Sequence, residues 1–200
     1  SARFLREAQA TAAIDHDNIV TIHDVGEQRG MPYYAMQFLR GESLHARLAR
    51  QTKLPIADAA RIAREIAQGL SAAHAKGLLH RDIKPANVWL EEGTDRAKIV
   101  DFGLARLDDH DDTELTNSGA ILGTPKYMSP EQAQGQAVDQ RCDLFSLGSV
   151  LFHLVAGEAP FSGANVTATL IAVATAAPPD VQTLAPKCPD ALKTIIDRLL

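Results

Sequence analysis

The stretch LLHRDIKPANVWL, residues 78–90, places five polar side chains between two apolar flanks. The polar residues are His80, Arg81, Asp82, Lys84 and Asn87. A surface loop is often this polar, but it does not usually lie between two segments that enter and leave a core. The pattern therefore indicates a polar loop that is held in place by hydrophobic neighbours.

The composition of the 200-residue chain is that of a globular protein. Hydrophobic residues make up 46% and charged residues 22%, which argues against disorder. The net charge is −5 and the isoelectric point is near 5.8. An acidic balance of this kind gives no basic surface for DNA or RNA, so we expect no nucleic-acid partner.

The cysteines and the longest apolar run favour a cytoplasmic protein. Cys142 and Cys188 are not accompanied by the paired Cys or His spacing of a disulfide framework or a zinc site. Such cysteines fit thiols in a reducing compartment. The apolar run 144–156 is shorter than the ~20 residues of a membrane span and contains His153, so it predicts a buried helix. No signal peptide opens the chain, and it does not begin with Met, so we expect a piece of a longer protein. That protein can carry a membrane anchor elsewhere.

Residue patterns along the chain predict an α+β fold with a small antiparallel sheet at the front and mostly helices after it. The apolar spacing from Ile56 to Ala73 is helical, with Pro55 in the first turn and Gly77 at the C-terminal cap. Residues 101–131 lose periodicity, which usually marks a functional loop. Strands are predicted at 18–28, 31–39, 88–90 and 97–100. Helices are predicted at 2–14, 42–50, 55–77, 138–156, 166–175 and 190–200.

Asp82, Asn87 and Asp101 form the most informative set of polar residues. Carboxylate and amide oxygens are ligands for Mg²⁺ rather than for zinc or copper. A hairpin of the strands after Asn87 and before Asp101 would bring these two residues together, and one aspartate could serve as a base. Lys84 adds a charge that can meet a phosphate. The residues thus fit a phosphoryl-transfer site, but equally a solvated turn whose Asp and Asn cap nearby helices.

Three short motifs decide between these interpretations. HRDIKPAN, DFG and SPE occur in this order, and the chain resembles the eukaryotic-type protein kinase family on that basis. The segments GTPKYMSPEQAQG and DLFSLGSVLFHLVAGEAPF are similar to those of the bacterial serine/threonine branch of this family. The resemblance covers almost the whole chain, and it implies a two-lobed fold that transfers the γ-phosphate of ATP to Ser or Thr hydroxyls of protein substrates.

The resemblance assigns catalytic and metal-binding roles residue by residue. Asp82 matches the aspartate that accepts the proton of the substrate hydroxyl, and Lys84 matches the lysine that meets the γ-phosphate. Thr124 matches a threonine that bonds near the catalytic aspartate. Asn87 and Asp101 match the two ligands of Mg²⁺, which Mn²⁺ can replace.

It also implies how ATP is bound. Glu7 resembles the helix glutamate that pairs with the ATP-binding lysine of the family. The segment MQFL, residues 36–39, resembles the hinge between the lobes. Met36 would lie at the back of the adenine pocket, and the backbone of Gln37 and Leu39 would face adenine.

Further residues match regulatory and supporting positions. Arg81 resembles the arginine that binds a phosphate on the activation segment, for which Thr116 and Ser118 are the best candidates. Four residues match positions that support the site. His80 would be a packed histidine that supports the region of Phe102. Asp143 would anchor the loop backbone, and Glu131 would pair with an arginine. Self-phosphorylation between two copies would make a kinase homodimer a further partner.

The 200 residues contain neither the Gly-rich loop nor the strand lysine of the family, which we expect before Ser1. The arginine partner of Glu131 is expected beyond Leu200. Residues 1–38 then form a partial N-terminal lobe and residues 39–200 a C-terminal lobe that is truncated at its end. We expect this chain alone to be weakly active or inactive.

Two alternative functions are compatible with such a fold. A non-catalytic kinase-like binding module is disfavoured because Asp82, Asn87 and Asp101 are all present. A small-molecule phosphotransferase is disfavoured because GTPKYMSPE resembles the peptide-docking segment of the protein kinases. The physiological substrate, the activating signal and the oligomeric state are not determined by these residues.

Overall fold

Two small antiparallel sheets and a set of helices form the described structure, which is a computed structural model covering residues 14–29, 31–101 and 125–200. The predicted α+β class is confirmed. The strands are β1 Ile22–Gln28, β2 Met31–Met36, β3 Gly41–Ser43, β4 Val88–Glu91 and β5 Ala97–Ile99. The helices are α1 Leu44–Gln51, α2 Ile56–His74, α3 Pro130–Ala133, α4 Arg141–Ala156, α5 Val166–Thr175, α6 Val181–Leu184 and α7 Asp190–Leu199, with 3-10 turns at Pro85–Asn87 and Pro125–Tyr127.

The first sheet is the predicted hairpin of β1 and β2. Its register runs from the Ile22–Met36 pair to the Gln28–Met31 pair. Both strands are shorter than predicted: β2 ends at Met36, and β1 begins only at Ile22 because residues 18–20 pair with the second sheet instead. Val20 donates its N–H to the carbonyl of Ile99 at 2.9 Å, which fixes the chain just before β1 against β5.

The second sheet has the order β3–β4–β5, and β3 corrects one prediction. The sequence predicted a helix over 42–50, but Gly41–Ser43 pairs with β4 and the helix begins at Leu44. Ser43 explains the boundary because its hydroxyl accepts a hydrogen bond from the N–H of Ala46 at 3.2 Å. A serine that caps the first turn favours extended backbone at its own position.

Helix α2 crosses the centre of the core, as its apolar spacing predicted. The buried stripe follows helical periodicity and consists of Ala59, Ile62, Ala63, Ile66, Gly69, Leu70 and Ala73. The helix ends at His74, three residues before Gly77, which has the left-handed φ of 73° expected of a glycine in this position. Gly69 permits close approach to β5, since an added Cβ would lie 2.9 Å from Cδ1 of Ile99.

Helix α4 is the buried helix predicted from the apolar run. It begins at Arg141 rather than at 138 and ends before Gly157, whose φ is 91°. Most of its residues are buried, among them the hydrophobic Val150, Leu151 and Leu154. It packs between α2 and α7, and Asp143 at its start lies 2.8 Å from His74 at the end of α2.

Within the described residues, no helix is both long enough and apolar enough to cross a membrane. The predicted helix over 2–14 lies outside these residues except for Ile14. Of the segment 101–131, the described part contains the 3-10 turn at Pro125–Tyr127 and the start of α3, neither of which the sequence predicted.

Candidate active site

The polar loop, residues 80–87, gathers two of the predicted side chains around the carboxylate of Asp82. Nζ of Lys84 lies 2.6 Å from Oδ2 of Asp82. Nδ2 of Asn87 donates to the same oxygen at 3.0 Å and to the carbonyl of Asp82 at 2.9 Å. The 3-10 turn at Pro85–Asn87 makes these contacts possible because it folds the chain back towards Asp82. The Asp82 carboxylate is therefore held by two donors on one oxygen.

The β4–β5 hairpin brings the ends of the two strands together, as the sequence predicted. Val88 pairs with Ile99, and Val100 donates its N–H to the carbonyl of Asn87 at 2.9 Å. Asp101 follows Val100 directly and has a left-handed φ of 57°. The hairpin therefore places the backbone of Asp101 beside the end of the polar loop.

Asp101 has a partner that the sequence did not predict. The hydroxyl of Tyr34, in β2, donates to Oδ1 of Asp101 at 2.7 Å. Burial, this hydrogen bond and the nearby carboxylate raise the pKa of Tyr34 to about 12. The hydroxyl therefore keeps its proton at neutral pH and acts as the donor.

The donor set around these residues fits Mg²⁺. Because Nδ2 of Asn87 is turned towards Asp82, its Oδ1 faces away and accepts no hydrogen bond from the described residues. Oδ2 of Asp101 is likewise not the atom that Tyr34 contacts. Residues 14–29, 31–101 and 125–200 contain no group of three His, Cys, Asp or Glu that could hold a metal. Carboxylate and amide oxygens are the hard ligands that Mg²⁺ prefers.

A buried carboxylate at the start of α4 holds the backbone of the polar loop. Asp143 is completely buried. Its Oδ2 accepts from the N–H of His80 at 2.9 Å, and its Oδ1 accepts from the N–H of Arg81 at 2.7 Å. Nε2 of His74, at the end of α2, lies 2.8 Å from Oδ2. Two helices thus fix the loop through one side chain.

The ring of His80 is fully buried and bridges the loop to β5. Nε2 lies 3.1 Å from the carbonyl of Val100, and Nδ1 accepts from the N–H of Asp82 at 3.2 Å. Burial lowers the pKa of His80, against the opposing effect of Asp143. The ring is therefore neutral at pH 7, with its proton on Nε2, since a carbonyl can only accept.

The segment that resembles a hinge, residues 36–39, makes one backbone hydrogen bond to the chain just before β1. The N–H of Gln37 donates to the carbonyl of Thr21 at 2.8 Å. In the described part of the chain no backbone hydrogen bond engages the carbonyl of Gln37 or the N–H of Leu39. Met36 is 43% exposed.

Other predicted residues are placed apart from this site or lie outside the description. Glu131 is half-buried in the first turn of α3 and lines a cleft with Arg141 and Arg198. Five predicted residues fall outside the described ranges: Glu7, Phe102, Thr116, Ser118 and Thr124.

Sequence reasoning missed His74, Tyr34 and Gln132. Gln132 donates from Nε2 to the carbonyl of Arg81 at 2.8 Å. Its position three residues after Ser129 matches a helix-capping pattern. The sequence therefore carried a signal for a capping role of Gln132, but none for its contact with the polar loop.

Comparisons with known proteins agree with this geometry. The family model described as the protein kinase domain matches residues 1–200. The serine/threonine-protein kinase PknJ of Mycobacterium tuberculosis is 43% identical over 86% of this chain and 29% of its own length. PknB of Mycobacterium leprae is 41% identical over 80% of the chain and 26% of its own length. Pkn1 of Myxococcus xanthus is 38% identical over 99% of the chain and 29% of its own length.

The chain thus spans less than a third of the length of these relatives. The match to the domain, by contrast, extends over all 200 residues. On this match, the chain belongs to the protein kinase family.

Proposed function

We propose that the domain transfers the γ-phosphate of ATP to serine or threonine hydroxyls of protein substrates. The observation that carries the proposal is the Asp82 carboxylate, which Lys84 and Asn87 hold at 2.6 and 3.0 Å at the edge of the core. The family implies ATP and Mg²⁺, and the named relatives are serine/threonine-protein kinases. Lys84 and the GTPKYMSPE segment also resemble that branch.

In the proposed reaction, Asp82 accepts the proton of the substrate hydroxyl while the hydroxyl oxygen bonds to the γ-phosphorus. The bond from the γ-phosphorus to the leaving oxygen breaks, and ADP departs. Lys84 can contact the γ-phosphate, since its Nζ is already beside Asp82. Asn87 and Asp101 would hold Mg²⁺, which neutralises phosphate charge when bound. Thr124 would hydrogen-bond near Asp82.

Adenine would bind at the hinge. The carbonyl of Gln37 and the N–H of Leu39 suit the edge of a purine, which carries both a donor and an acceptor. Met36 would close the back of the pocket, and Glu7 would pair with the ATP-binding lysine. We assign residues 1–38 to a partial N-terminal lobe and residues 39–200 to the C-terminal lobe, and the hinge lies where they join.

Activation is proposed to work through phosphate on Thr116 or Ser118, bound by Arg81. Such a phosphate adds about −1.5 to −2 charge and can order a segment around an arginine. Phosphorylation in trans would require a second copy of the kinase, in the cytoplasm. His80, Phe102, Asp143 and Glu131 would support the site structurally.

The 200 residues contain no Gly-rich loop and no strand lysine. We therefore propose that residues 1–200 alone transfer phosphate slowly or not at all. Experiments on activity need the full-length protein.

Phosphoamino-acid analysis of the full-length protein tests the acceptor. After incubation with γ-labelled ATP and Mg²⁺, we expect label on phosphoserine and phosphothreonine, and peptide mapping should find part of it at Thr116 or Ser118. Label mainly on phosphotyrosine would contradict the proposed acceptor. Absence of transfer from a protein that binds Mg-ATP would favour a non-catalytic binding module.

A further inference from the structure

Gln132 connects α3 to the polar loop through a single side-chain amide. Its Oε1 accepts from the N–H of Ser129 at 3.2 Å, and the hydroxyl of Ser129 accepts from the N–H of Gln132 at 3.4 Å. These two bonds form a capping box at the start of α3. The other end of the amide, Nε2, donates to the carbonyl of Arg81 at 2.8 Å. Because an N–H only donates and a carbonyl only accepts, the two partners fix the orientation of the amide.

The carbonyl that Gln132 holds belongs to a residue in an unfavourable backbone conformation. Arg81 has a φ of 63°, in the left-handed region that a residue with a Cβ rarely adopts. Such a conformation persists only when its surroundings impose it. The N–H of Arg81 is held by Asp143 at 2.7 Å, and its carbonyl is held by Gln132.

The peptide group between Arg81 and Asp82 is therefore held at both ends. Gln132 binds its oxygen at 2.8 Å, and Nδ1 of His80 accepts from its N–H at 3.2 Å. The orientation of this peptide determines where the side chain of Asp82 begins. A rotation of the peptide would move the Asp82 carboxylate away from Lys84 and Asn87, although neither of them contacts Gln132.

We propose that Gln132 is a positioning residue for Asp82. Its N–H donor holds the peptide between Arg81 and Asp82, and it thereby links the geometry of the Ser129–Gln132 turn to the catalytic carboxylate. The turn follows directly on the GTPKYM stretch, so a shift of that segment would reach Asp82 through this bond. This inference rests on the proposed role of Asp82 as proton acceptor.

The chain offers a nearly isosteric test of this bond. In Gln132→Glu the oxygen that caps α3 is retained, and a negative charge in the first turn suits a helix N-terminus. The donor, however, is replaced by an oxygen that faces the carbonyl of Arg81. Two acceptors cannot share a hydrogen bond, so the peptide must move while α3 remains capped. Gln136→Glu is the matched control, because Gln136 is exposed and its side chain hydrogen-bonds only to Gln134 among the described residues.

The experiment measures kcat and KM for Mg-ATP in the full-length protein, with each variant made in the wild-type and the Asp82→Asn backgrounds. We expect Gln132→Glu to lower kcat about tenfold or more, with KM within about twofold and with Gln136→Glu unchanged. In the Asp82→Asn background, Gln132→Glu should cost less than about twofold, because residues that act as a unit are not additive. A kcat within about twofold of wild type, or an equal loss in both backgrounds, would overturn the proposal.

Hydrogen exchange separates this inference from the proposed function. The amide of Asp82 should exchange faster in Gln132→Glu than in wild type, whether or not the protein transfers phosphate, and the amide of Asp143 should not change. An unchanged Asp82 amide overturns the positioning role. A wild-type protein that transfers no phosphate overturns the proposed function, and then the exchange rates alone decide whether Gln132 holds the peptide.

Discussion

At the scale of single residues, the buried Asp143 anchors the backbone of the polar loop. A buried carboxylate is costly unless its oxygens are hydrogen-bonded. Here it accepts from two backbone N–H groups and lies 2.8 Å from Nε2 of His74. These N–H groups belong to His80 and Arg81. The hydrogen bonds that compensate the buried charge of Asp143 therefore also fix the backbone just before Asp82.

Asp143→Ala should lower the free energy of unfolding by about 3 kcal/mol or more, since it leaves the buried N–H of His80 and the partly buried N–H of Arg81 without their acceptor. Urea denaturation of the variant and wild type measures the difference. Asp197→Ala is the control, because Asp197 is 47% exposed in its pair with Lys193 and should cost less than about 0.5 kcal/mol. A loss below about 1 kcal/mol for Asp143→Ala would argue against its anchoring role.

The sequence predicted residues that are close along the chain and missed those that meet through the fold. Asp82, Lys84 and Asn87 lie within one short motif, so the sequence alone predicted that they lie close together and form one polar site. Tyr34 and Asp101 are 67 residues apart, and Gln132 and Arg81 are 51 apart. Neither contact leaves a local pattern, because a tyrosine in a strand and a glutamine in a helix are ordinary residues.

At the scale of elements, the packing of α2 against β5 supports the site from below. Gly69 lies where the helix meets Ile99, which is completely buried. The long helices were predicted well, α2 because many of its residues lie on one apolar face and α4 because its apolar run is long. The short elements β3 and α3 were not, because three or four residues carry too little periodicity and their partners lie far along the chain.

Gly69→Ala should destabilise the protein even though alanine favours helices. Helix propensity would contribute about 1 kcal/mol in favour of alanine, but overpacking a filled core costs about 1–3 kcal/mol. The new Cβ would meet Ile99 at 2.9 Å and the carbonyl of Asn18 at 3.0 Å. We expect a lower melting temperature for Gly69→Ala and an unchanged or slightly higher one for Ser71→Ala, which is exposed on the same helix. A higher melting temperature for Gly69→Ala would contradict the close packing.

At the scale of the whole molecule, the buried His80 and the half-buried His153 make stability depend on pH. Burial lowers the pKa of His80, and burial with the charges of Lys126 and His45 lowers that of His153. Nδ1 of His153 lies 2.7 Å from the hydroxyl of Tyr127. Burial raises the pKa of that hydroxyl to about 12, so it donates to a neutral ring.

The free energy of unfolding should fall as the pH drops below about 6.5, the ordinary histidine value. Because the folded pKa of each ring lies below the unfolded one, the unfolded chain binds more protons in this window. The stabilisation is complete above the unfolded pKa and is lost towards the folded pKa, with a slope of at most about 1.4 kcal/mol per pH unit for each histidine. Urea denaturation from pH 7.5 to 5 measures it. His153→Gln should make the slope shallower and His23→Gln, on the exposed surface, should not; equal slopes in all three proteins would contradict this assignment.

The role of Asp82 is tested most directly by the rate of phosphate transfer from γ-labelled ATP to a Ser/Thr protein acceptor. The measurement compares the full-length wild type with Asp82→Asn and includes the affinity of each for Mg-ATP. We expect Asp82→Asn to lower the rate about 10²–10⁴-fold with nucleotide affinity nearly unchanged, whereas Asp101→Asn should also weaken Mg-ATP binding because it removes a metal ligand. A rate for Asp82→Asn within about threefold of wild type would contradict the assignment of Asp82 as the proton acceptor.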